Sequence, residues 1–494
     1  MSTNFGGARF RPSCEMNLSN YVLMPEYSNS FSVSSDSRVI VVGAGLTGLS
    51  AAIELAEAGV PVLVVEKGDV GGEQSQFALG WVRTTGRPPV EIPLSLLNRS
   101  RFDALMPDAS RLAYGVLFCA KDETQLTRLE QWADGAARYG VKTRLLDAAD
   151  TAARLPGCAT GTVGGLLTEV DTSIDPRHLV QVLVARAAAL GVEIRTRCAV
   201  RALDTAAGEV RGVLTERGIE RGASVVLATG AWTRLMLRDA GYTLPSVKVR
   251  SSLVRIRTAA HLPPGCIGCA GVAGVGYRAA PDGTFVVGLE NNNRLEVTPD
   301  ALRFASRYLP MWWAHRGEIK PSFGRAFFDE LGVGRARHQD QTSVYEQKRI
   351  LRPEPGQALT QLTISRFAEL FPSLGDIELL ESWAGYLDMT PDGLPVISAA
   401  ERTPGLFVAT GLNGSGLGTG LAAGRLIASL VTGRMPETDI SPFRLARWSR
   451  DGPHGVDDPE KHAAQSTQST TGFPDVEGLS DPTPAQPRTE KLRQ

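Results

Sequence analysis

The 494-residue chain has few cysteines, almost no net charge and no long apolar run. Its 52 Lys and Arg residues balance 53 Asp and Glu residues, leaving a formal charge of -1, so it lacks the positive field expected of a nucleic-acid-binding protein. The most apolar stretch, residues 39–65, is interrupted by two hydroxyl side chains and two glutamates, and it falls short of the roughly 20 apolar residues of a membrane span. The N-terminus shows no basic segment followed by an apolar one, so no secretory signal is expected.

The six cysteines are too few for a disulfide framework in a chain of this length. Their number favours a reducing compartment, and we expect a cytoplasmic protein. Cys266 and Cys269 have the spacing of half a zinc site, but no second Cys or His pair of suitable spacing lies nearby, and structural zinc needs four ligands. The sequence therefore predicts two ordinary thiols and no metal site.

The composition, with 43% hydrophobic and 21% charged residues, is typical of globular proteins. At this length two or three domains are expected. Residues 1–37 are rich in Ser and Asn without a hydrophobic period, and residues 437–494 are mostly polar and rich in Pro. We predict that residues 1–37 form a disordered tail and that residues 437–494 are largely disordered.

Two short apolar runs near the N-terminus, residues 38–42 and 60–66, are typical of parallel strands covered on both faces. Between them, apolar residues recur at helical spacing at Leu46, Leu49, Ile53 and Ala56. Gly59 ends that helix. The pattern predicts a βαβ unit.

Further elements are expected along the chain. Asp175 and Pro176 have the N-cap and first-turn chemistry of a helix that continues to Gly191. Strands are predicted at residues 192–196, 224–229 and 405–410, a hairpin at 281–288, and a helix at 421–432.

A glycine-rich turn, Gly43-Ala-Gly-Leu-Thr-Gly48, separates the first strand from its helix, and Glu66 ends the next strand. In such a turn the first Gly permits the tight bend, the second lets a pyrophosphate approach the backbone, and the third lets helix and strand pack closely. The helix N-terminus supplies unpaired N–H groups, and the acid is placed to accept hydrogen bonds from a ribose. The motif alone is weak, but in register with strand, helix and acid it predicts dinucleotide binding.

Several segments resemble the D-amino-acid oxidase superfamily of FAD flavoproteins, which includes sarcosine and glycine oxidases and D-amino-acid dehydrogenases. They are Gly43–Gly48 with Glu66, Asp175–Leu179, Val225–Trp232, Thr390–Pro395 and Gly411–Gly418. The resemblance implies an α/β fold in which a Rossmann-like FAD-binding domain is interleaved with an α+β substrate domain built on a mixed or antiparallel sheet. The FAD-binding domain would comprise residues 38–100, 171–245 and 371–436, and the substrate domain residues 101–170 and 246–370.

The resemblance also implies a set of FAD-binding residues. In the first half of the chain they are Gly43, Ala44, Gly45, Leu46, Thr47, Gly48, Glu66, Lys67, Gln74 and Ser75. Farther on they are Val200, Ala228, Thr229, Gly230, Asn413, Gly414, Ser415, Gly416 and Leu417. The N-terminus of the helix after the last turn is suited to negative charge on a reduced flavin. No His or Cys lies near residues 72–81 to link the flavin covalently, so noncovalent FAD is expected.

By this resemblance, the protein oxidises the C–N bond of an amino acid or a substituted amine. Hydride passes to flavin N5, the imine hydrolyses, and oxygen or an electron-transfer acceptor takes the electrons. A second nucleotide site, as in pyridine-nucleotide reductases, is disfavoured because the motif Gly418–Ala423 leads to no second βαβ unit. Two alternatives stay open: a flavoprotein subunit that needs a partner, as in heteromeric opine and sarcosine oxidases, and a noncatalytic flavin-binding protein. No catalytic residue is identified.

One departure from the family pattern concerns substrate binding. Many relatives carry an Arg where Leu387 stands, and that guanidinium binds the substrate carboxylate. Either another arginine takes this role, with Arg83 and Arg278 as candidates, or the substrate is an amine without an α-carboxylate. We predict a carboxylate-bearing substrate held by Arg278. The expected substrate-binding residues are Arg83, Tyr277, Arg278, Tyr386 and Leu387.

Overall fold

The structure of the protein is a computed structural model. It describes residues 38–449 except 107–112, 281, 291–292, 316–318 and 332–340. The predicted N-terminal tail and residues 450–494 of the predicted C-terminal tail lie outside the described residues. Within the described ranges, no helix combines the length and apolar character needed to cross a membrane.

The strands are numbered here in chain order. They are β1 (Val39–Val42), β2 (Val62–Val65), β3 (Trp81–Val82), β4 (Ala113–Ala120), β5 (Arg144–Asp147), β6 (Gly164–Ser173), β7 (Glu193–Arg195), β8 (Val200–Ala206), β9 (Glu209–Thr215), β10 (Gly218–Arg221), β11 (Ser224–Leu227), β12 (Val247–Thr258), β13 (Cys269–Val272), β14 (Val275–Ala279), β15 (Thr284–Leu289), β16 (Asn293–Glu296), β17 (Ile319–Ser322), β18 (Ile377–Met389), β19 (Val396–Ala399) and β20 (Leu406–Thr410).

The helices are numbered in the same way. They are α1 (Leu46–Glu57), α2 (Ile92–Leu105), α3 (Glu123–Ala137), α4 (Ala148–Arg154), α5 (Pro176–Ala189), α6 (Thr233–Asp239), α7 (Pro299–Arg303), α8 (Ala305–His315), α9 (Arg325–Leu331), α10 (Val344–Gln347), α11 (Gln357–Leu370) and α12 (Gly416–Val431).

The predicted βαβ unit lies at the centre of the first sheet. The strand order is β19-β20-β11-β1-β2-β7, and all neighbouring pairs are parallel except β19 with β20. Every residue of β1, β2 and β11 is buried, which explains their continuous apolar sequences, since helices and loops cover both faces. The mixed α/β class and this Rossmann-like arrangement are as predicted.

Helices α1 and α12 pack closely on one face of this sheet. A Cβ added at Gly48 would overlap the Gly43 carbonyl oxygen, and one at Gly424 would lie 2.6 Å from the Ala51 nitrogen. Helix α12 begins at Gly416, five residues before the predicted start at Leu421. Its first turns contain three glycines, which have low helix propensity, and the close packing that they permit outweighs that propensity.

The second sheet is larger and mixed. Its order is β17-β16-β12-β15-β14-β13-β4-β6-β3, with β18 paired to β12 and β5 to β6. The predicted division placed β3 and β18 in the FAD-binding domain, but both strands belong to this second sheet. Strand β18 pairs antiparallel with β12 along its whole length, so the long strand that leads back to the first sheet is itself part of the substrate side.

The predicted C-terminal tail begins too early. Short helical turns at Ser441–Phe443 and Leu445–Trp448 pack against the first sheet, with Phe443 and Trp448 buried. Arg447 forms a buried ion pair with Asp392 at 2.8 Å. The prediction of a largely disordered segment is therefore wrong for residues 440–448, because two large apolar side chains and one ion pair anchor them.

Candidate active site

A cavity of about 310 Å³ lies between the two sheets. From the first sheet it is lined by residues at the carboxyl ends of β1, β2 and β20 and just after β11, where ligands bind in open α/β sheets. From the second sheet it is lined by residues of β3, β12, β14, β15 and β18. The site therefore spans the predicted cofactor and substrate sides.

The glycine-rich turn after β1 forms one wall. Gly43 has φ +102°, and a Cβ there would lie 2.5 Å from the Ala228 carbonyl oxygen. A Cβ on Gly45 would lie 3.1 Å from the Ser75 hydroxyl, which accepts a 3.0 Å hydrogen bond from the Leu46 N–H. A larger side chain at either glycine would fill this turn. Because both positions lack a side chain, a pyrophosphate can approach the backbone closely.

Glu66 lies at the end of β2 and also lines the cavity. Its carboxylate accepts hydrogen bonds from the Ala44 N–H at 2.9 Å and the Gly68 N–H at 2.7 Å. Burial raises its pKa, and the two backbone hydrogen bonds oppose that shift. Each carboxylate oxygen retains a second lone pair, so the residue can still accept hydrogen bonds from a ribose.

The segment after β11 faces Gln74 across the cavity. Gly230 has φ +50°, and a Cβ there would overlap the Gln74 amide oxygen. That oxygen accepts a 3.2 Å hydrogen bond from the Ala231 N–H. Val200 and Ala228 lie on the same lining. These residues line the same cavity.

Lys67 lines the cavity, but its ammonium is already occupied. It pairs with Glu73 at 2.5 Å and donates to the carbonyl oxygens of Lys348 at 2.9 Å and Arg349 at 2.8 Å. It also lies 4.7 Å from the centre of the Trp232 ring. Its side chain therefore holds together one wall of the cavity.

The turn that precedes α12 forms the opposite wall. Asn413 has φ +48°, and its amide oxygen accepts a 2.8 Å hydrogen bond from the Thr390 N–H. Asp388 accepts from the Thr410 hydroxyl at 2.7 Å and from the Gly411 N–H at 2.8 Å. Sequence reasoning missed Asp388, which lines the cavity and ties the end of β18 to this turn.

Most predicted FAD-binding residues line this one cavity. They are Gly43, Gly45, Leu46, Thr47, Glu66, Lys67, Gln74, Ser75, Val200, Ala228, Thr229, Gly230, Asn413, Gly414, Ser415, Gly416 and Leu417. Ala44 and Gly48 are absent from the lining. Ala44 contributes its N–H to Glu66, and Gly48 allows α1 to approach the turn.

Arg83 lines the cavity between the two sheets. Its guanidinium carbon lies 5.9 Å from the ring centre of Trp81 and 5.4 Å from that of Phe118. Its one side-chain hydrogen bond among the described residues runs from Nη1 to the Thr85 carbonyl oxygen. Burial, and next the charge of nearby Arg87, lower its pKa to about 9. An anion entering the cavity would relieve both effects.

Arg87 is a second cavity-lining arginine, which sequence reasoning missed. The residue is 6% exposed, its Nη1 donates to the Ser415 hydroxyl, and its Nε has no partner among the residues that the structure describes. Glu91, four residues farther along the chain, is also buried, and burial raises its pKa to about 7. The only sequence signal for Arg87 is its spacing from Arg83, four residues earlier, across a short turn.

Two predicted substrate-binding residues do not reach the cavity. Tyr277 is fully buried on the other face of β14, where its hydroxyl donates to the Ile267 carbonyl oxygen at 2.9 Å. Arg278 is buried, and its Nε donates to the Leu79 carbonyl oxygen at 2.8 Å. Leu79 and Gly80 line the cavity and cover Arg278. The prediction that Arg278 contacts the substrate is therefore not supported.

Tyr386 and Leu387 line the cavity from β18. Burial raises the pKa of Tyr386 to about 12, and the Lys248 ammonium lies 5.5 Å from its ring centre. Leu387 faces the turn before α12, because a Cβ on Gly414 would lie 3.4 Å from a Leu387 methyl group. The position at which the family resemblance implies an arginine is thus apolar here.

Comparison with known proteins gives a family match over residues 38–430, to the DAO family described as FAD dependent oxidoreductase. The chain is 28% identical to a D-amino acid dehydrogenase of Rhizobium johnstonii over 476 residues, covering 83% of this chain and 100% of that protein. It is 27% identical to a glycine oxidase of Pseudomonas aeruginosa, covering 83% and 98%.

Among solved structures, the fold is similar to that of the L-amino acid deaminase from Proteus myxofaciens, determined in complex with anthranilate. The TM-score is 0.78 with 30% sequence identity, covering 84% of this chain and 94% of that one.

Proposed function

The chain belongs to the DAO family of FAD-dependent oxidoreductases, and we propose that it oxidises the C–N bond of an amino acid. FAD is the electron sink for such a reaction. Bound FAD would accept a hydride from the substrate's α-carbon, the amine nitrogen would lose a proton, and the resulting imine would take up water and release ammonia. The similarity to amino-acid dehydrogenases, oxidases and deaminases supports this substrate class.

The residues around the cavity fit FAD. Gly43 and Gly45 leave the space that a pyrophosphate needs, and Glu66 has acceptor capacity for the ribose. Gly230 lies against Gln74 farther along the cavity, and the turn Asn413–Leu417 closes it. Because Glu66 follows β2 and this turn follows β20, on opposite sides of β1, the two ends of a dinucleotide can be held apart.

One observation carries the choice of an amino acid over a simple amine. Arg83 presents a guanidinium to the cavity with no ion pair among the described residues, while Leu387 cannot bind an anion. A substrate carboxylate bound by Arg83 forms a charge-assisted, bidentate contact. Trp81 and Phe118 flank the guanidinium and limit its movement, so the contact orients the α-carbon before hydride transfer.

Anaerobic mixing of the purified chain with a panel of D- and L-amino acids, N-methyl amino acids and the matching decarboxylated amines tests the proposal. Loss of oxidised-flavin absorbance with amino acids but not with amines is expected. Equal bleaching by the amines would exclude carboxylate recognition. If no substrate bleaches the flavin of the single chain, the mixing is repeated with a partner protein. Bleaching only with the partner would favour a subunit of a heteromeric enzyme. No bleaching in either case would favour a noncatalytic flavoprotein. Repetition in air, with hydrogen peroxide measured, distinguishes oxygen from another acceptor.

A further inference from the structure

Arg87 brings a buried positive charge to the first turn of α12. The residue lines the cavity, its Nη1 donates to Ser415, and its Nε has no partner within the described part of the chain. Ser415 immediately precedes the 16-residue helix α12. A buried guanidinium with an unused donor is costly unless an anion compensates it. The proposed contact of Arg83 with the substrate carboxylate does not use this donor.

The first turn of α12 is held in a fixed orientation. The Gly418 and Thr419 N–H groups donate to the Ser415 carbonyl oxygen at 2.8 and 2.9 Å. The side chain of Asn98, which is fully buried, donates to the Leu417 carbonyl oxygen at 2.8 Å and accepts from the Leu421 N–H at 2.9 Å. Gly416 and Leu417 line the cavity. The positive end of the helix dipole and the Arg87 charge are thus at the same place.

We propose that Arg87 is the cationic group that stabilises the negative charge of reduced FAD, acting together with the N-terminus of α12. The charge is fixed before the reaction, because Ser415 and the buried surroundings hold the guanidinium in place. Preorganised charge of this kind is more effective in a water-excluded site than in water. Arg87 therefore makes the bound flavin easier to reduce.

Glu91 sets the strength of this effect. It lies four residues after Arg87, both residues are buried, and one Glu91 oxygen has no hydrogen-bond partner among the described residues. The Glu91 charge acts to raise the pKa of Arg87, against the larger effect of burial. When Glu91 is ionised it offsets part of the Arg87 charge. Removing the Arg87 charge must therefore lower the flavin potential, and removing the Glu91 charge must raise it. A purely structural role of Arg87 does not require these opposite shifts.

The inference rests on FAD binding and not on the proposed substrate. It is therefore tested without substrate, by measuring the two-electron midpoint potential of bound FAD against reference dyes at pH 8.5. We expect Arg87→Gln to weaken the preference for the reduced form at least tenfold, which lowers the potential by about 30 mV or more. We expect Glu91→Gln to raise it.

Arg83→Gln is the matched control, because it removes the same charge from the same cavity. Its shift must be smaller than that of Arg87→Gln, and Arg87→Lys must restore part of the potential. FAD content and thermal unfolding are measured for each variant. If Arg87→Gln does not retain FAD, Glu91→Gln decides: a raised potential supports the proposal. The proposal would be overturned by an unchanged potential in Glu91→Gln or in FAD-loaded Arg87→Gln. It would also be overturned if Arg83→Gln shifted the potential more than Arg87→Gln does.

Discussion

Arg447 and Asp392 form a buried ion pair, with Nε to carboxylate oxygen at 2.8 Å, that attaches the last described segment to the turn before β19. The guanidinium also donates to the Leu394 carbonyl oxygen at 2.8 Å. Asp392 lies two residues before Leu394 and three residues after the end of β18. In the same turn, the Thr390 N–H donates to the Asn413 amide oxygen at the cavity. The ion pair therefore supports the turn that carries one wall of the site.

Truncation tests this anchoring. We expect a chain that ends at residue 449 to keep its FAD content and stability, because it retains the ion pair and both buried aromatic residues. A chain that ends at residue 439 loses them and leaves Asp392 buried without its partner, which costs about 3 to 5 kcal/mol for the ion pair alone. Chemical denaturation of both chains measures the difference. Equal stability of the two would contradict the assigned role of Arg447.

Gly45→Asp is expected to abolish FAD binding. A Cβ at Gly45 already approaches the Ser75 hydroxyl to 3.1 Å, and a carboxylate there would occupy the turn and repel a pyrophosphate. Gly135→Asp on helix α3 is the control, because no atom of the described residues lies within 4 Å of a Cβ at that position. The ratio of flavin to protein absorbance after purification gives the answer. Full FAD occupancy in Gly45→Asp would exclude the predicted pyrophosphate position.

The pH dependence of stability is expected to contain a contribution from Glu91. Burial raises its pKa from 4.5 to about 7 in the folded protein, so the folded state binds more protons than the unfolded state between these pH values. Stability contributed by this group must then fall as pH rises through that window. Relative to Glu91→Gln, the unchanged protein loses on the order of 3 kcal/mol between pH 4.5 and 8. Parallel curves of unfolding free energy against pH for the two proteins would contradict the raised pKa of Glu91.

The first sheet could be predicted from sequence because its signals are local. β1, α1 and β2 follow from continuous apolar runs, helical spacing and the glycine-rich turn, and the structure confirms them. The start of α12 could not be predicted. Its glycines indicate a turn when read alone, and only their contacts with Arg83 and Thr47 show why a helix tolerates them there.

The second sheet and the substrate wall depend on contacts between distant segments. Tyr277 and Arg278 were chosen because they precede a hairpin, but the sequence does not say which face of β14 meets the core or that Leu79 covers Arg278. Arg87 and Asp388 gave no motif at all. Their position follows from the approach of β3 and β18 to the α12 turn, which is a property of the tertiary structure.

The choice between Arg83 and Arg278 gives the sharpest test of the substrate assignment. Arg278 is buried and Arg83 is half-buried, but only Arg83 lines the cavity. Arg83→Gln removes a charged contact to the substrate carboxylate, and losing such a contact costs about 2 to 5 kcal/mol.

We therefore expect kcat/KM for the amino acid to fall at least about 30-fold in Arg83→Gln, with FAD content unchanged. Arg278→Leu loses the hydrogen bond to the Leu79 carbonyl oxygen, so we expect lower thermal stability with a nearly unchanged KM. Steady-state kinetics on both variants decide between the two arginines. A large rise in KM confined to Arg278→Leu would restore the prediction made from the sequence that Arg278 binds the substrate carboxylate. It would also remove Arg83 from the substrate site, because loss of a guanidinium that contacts the carboxylate must raise KM.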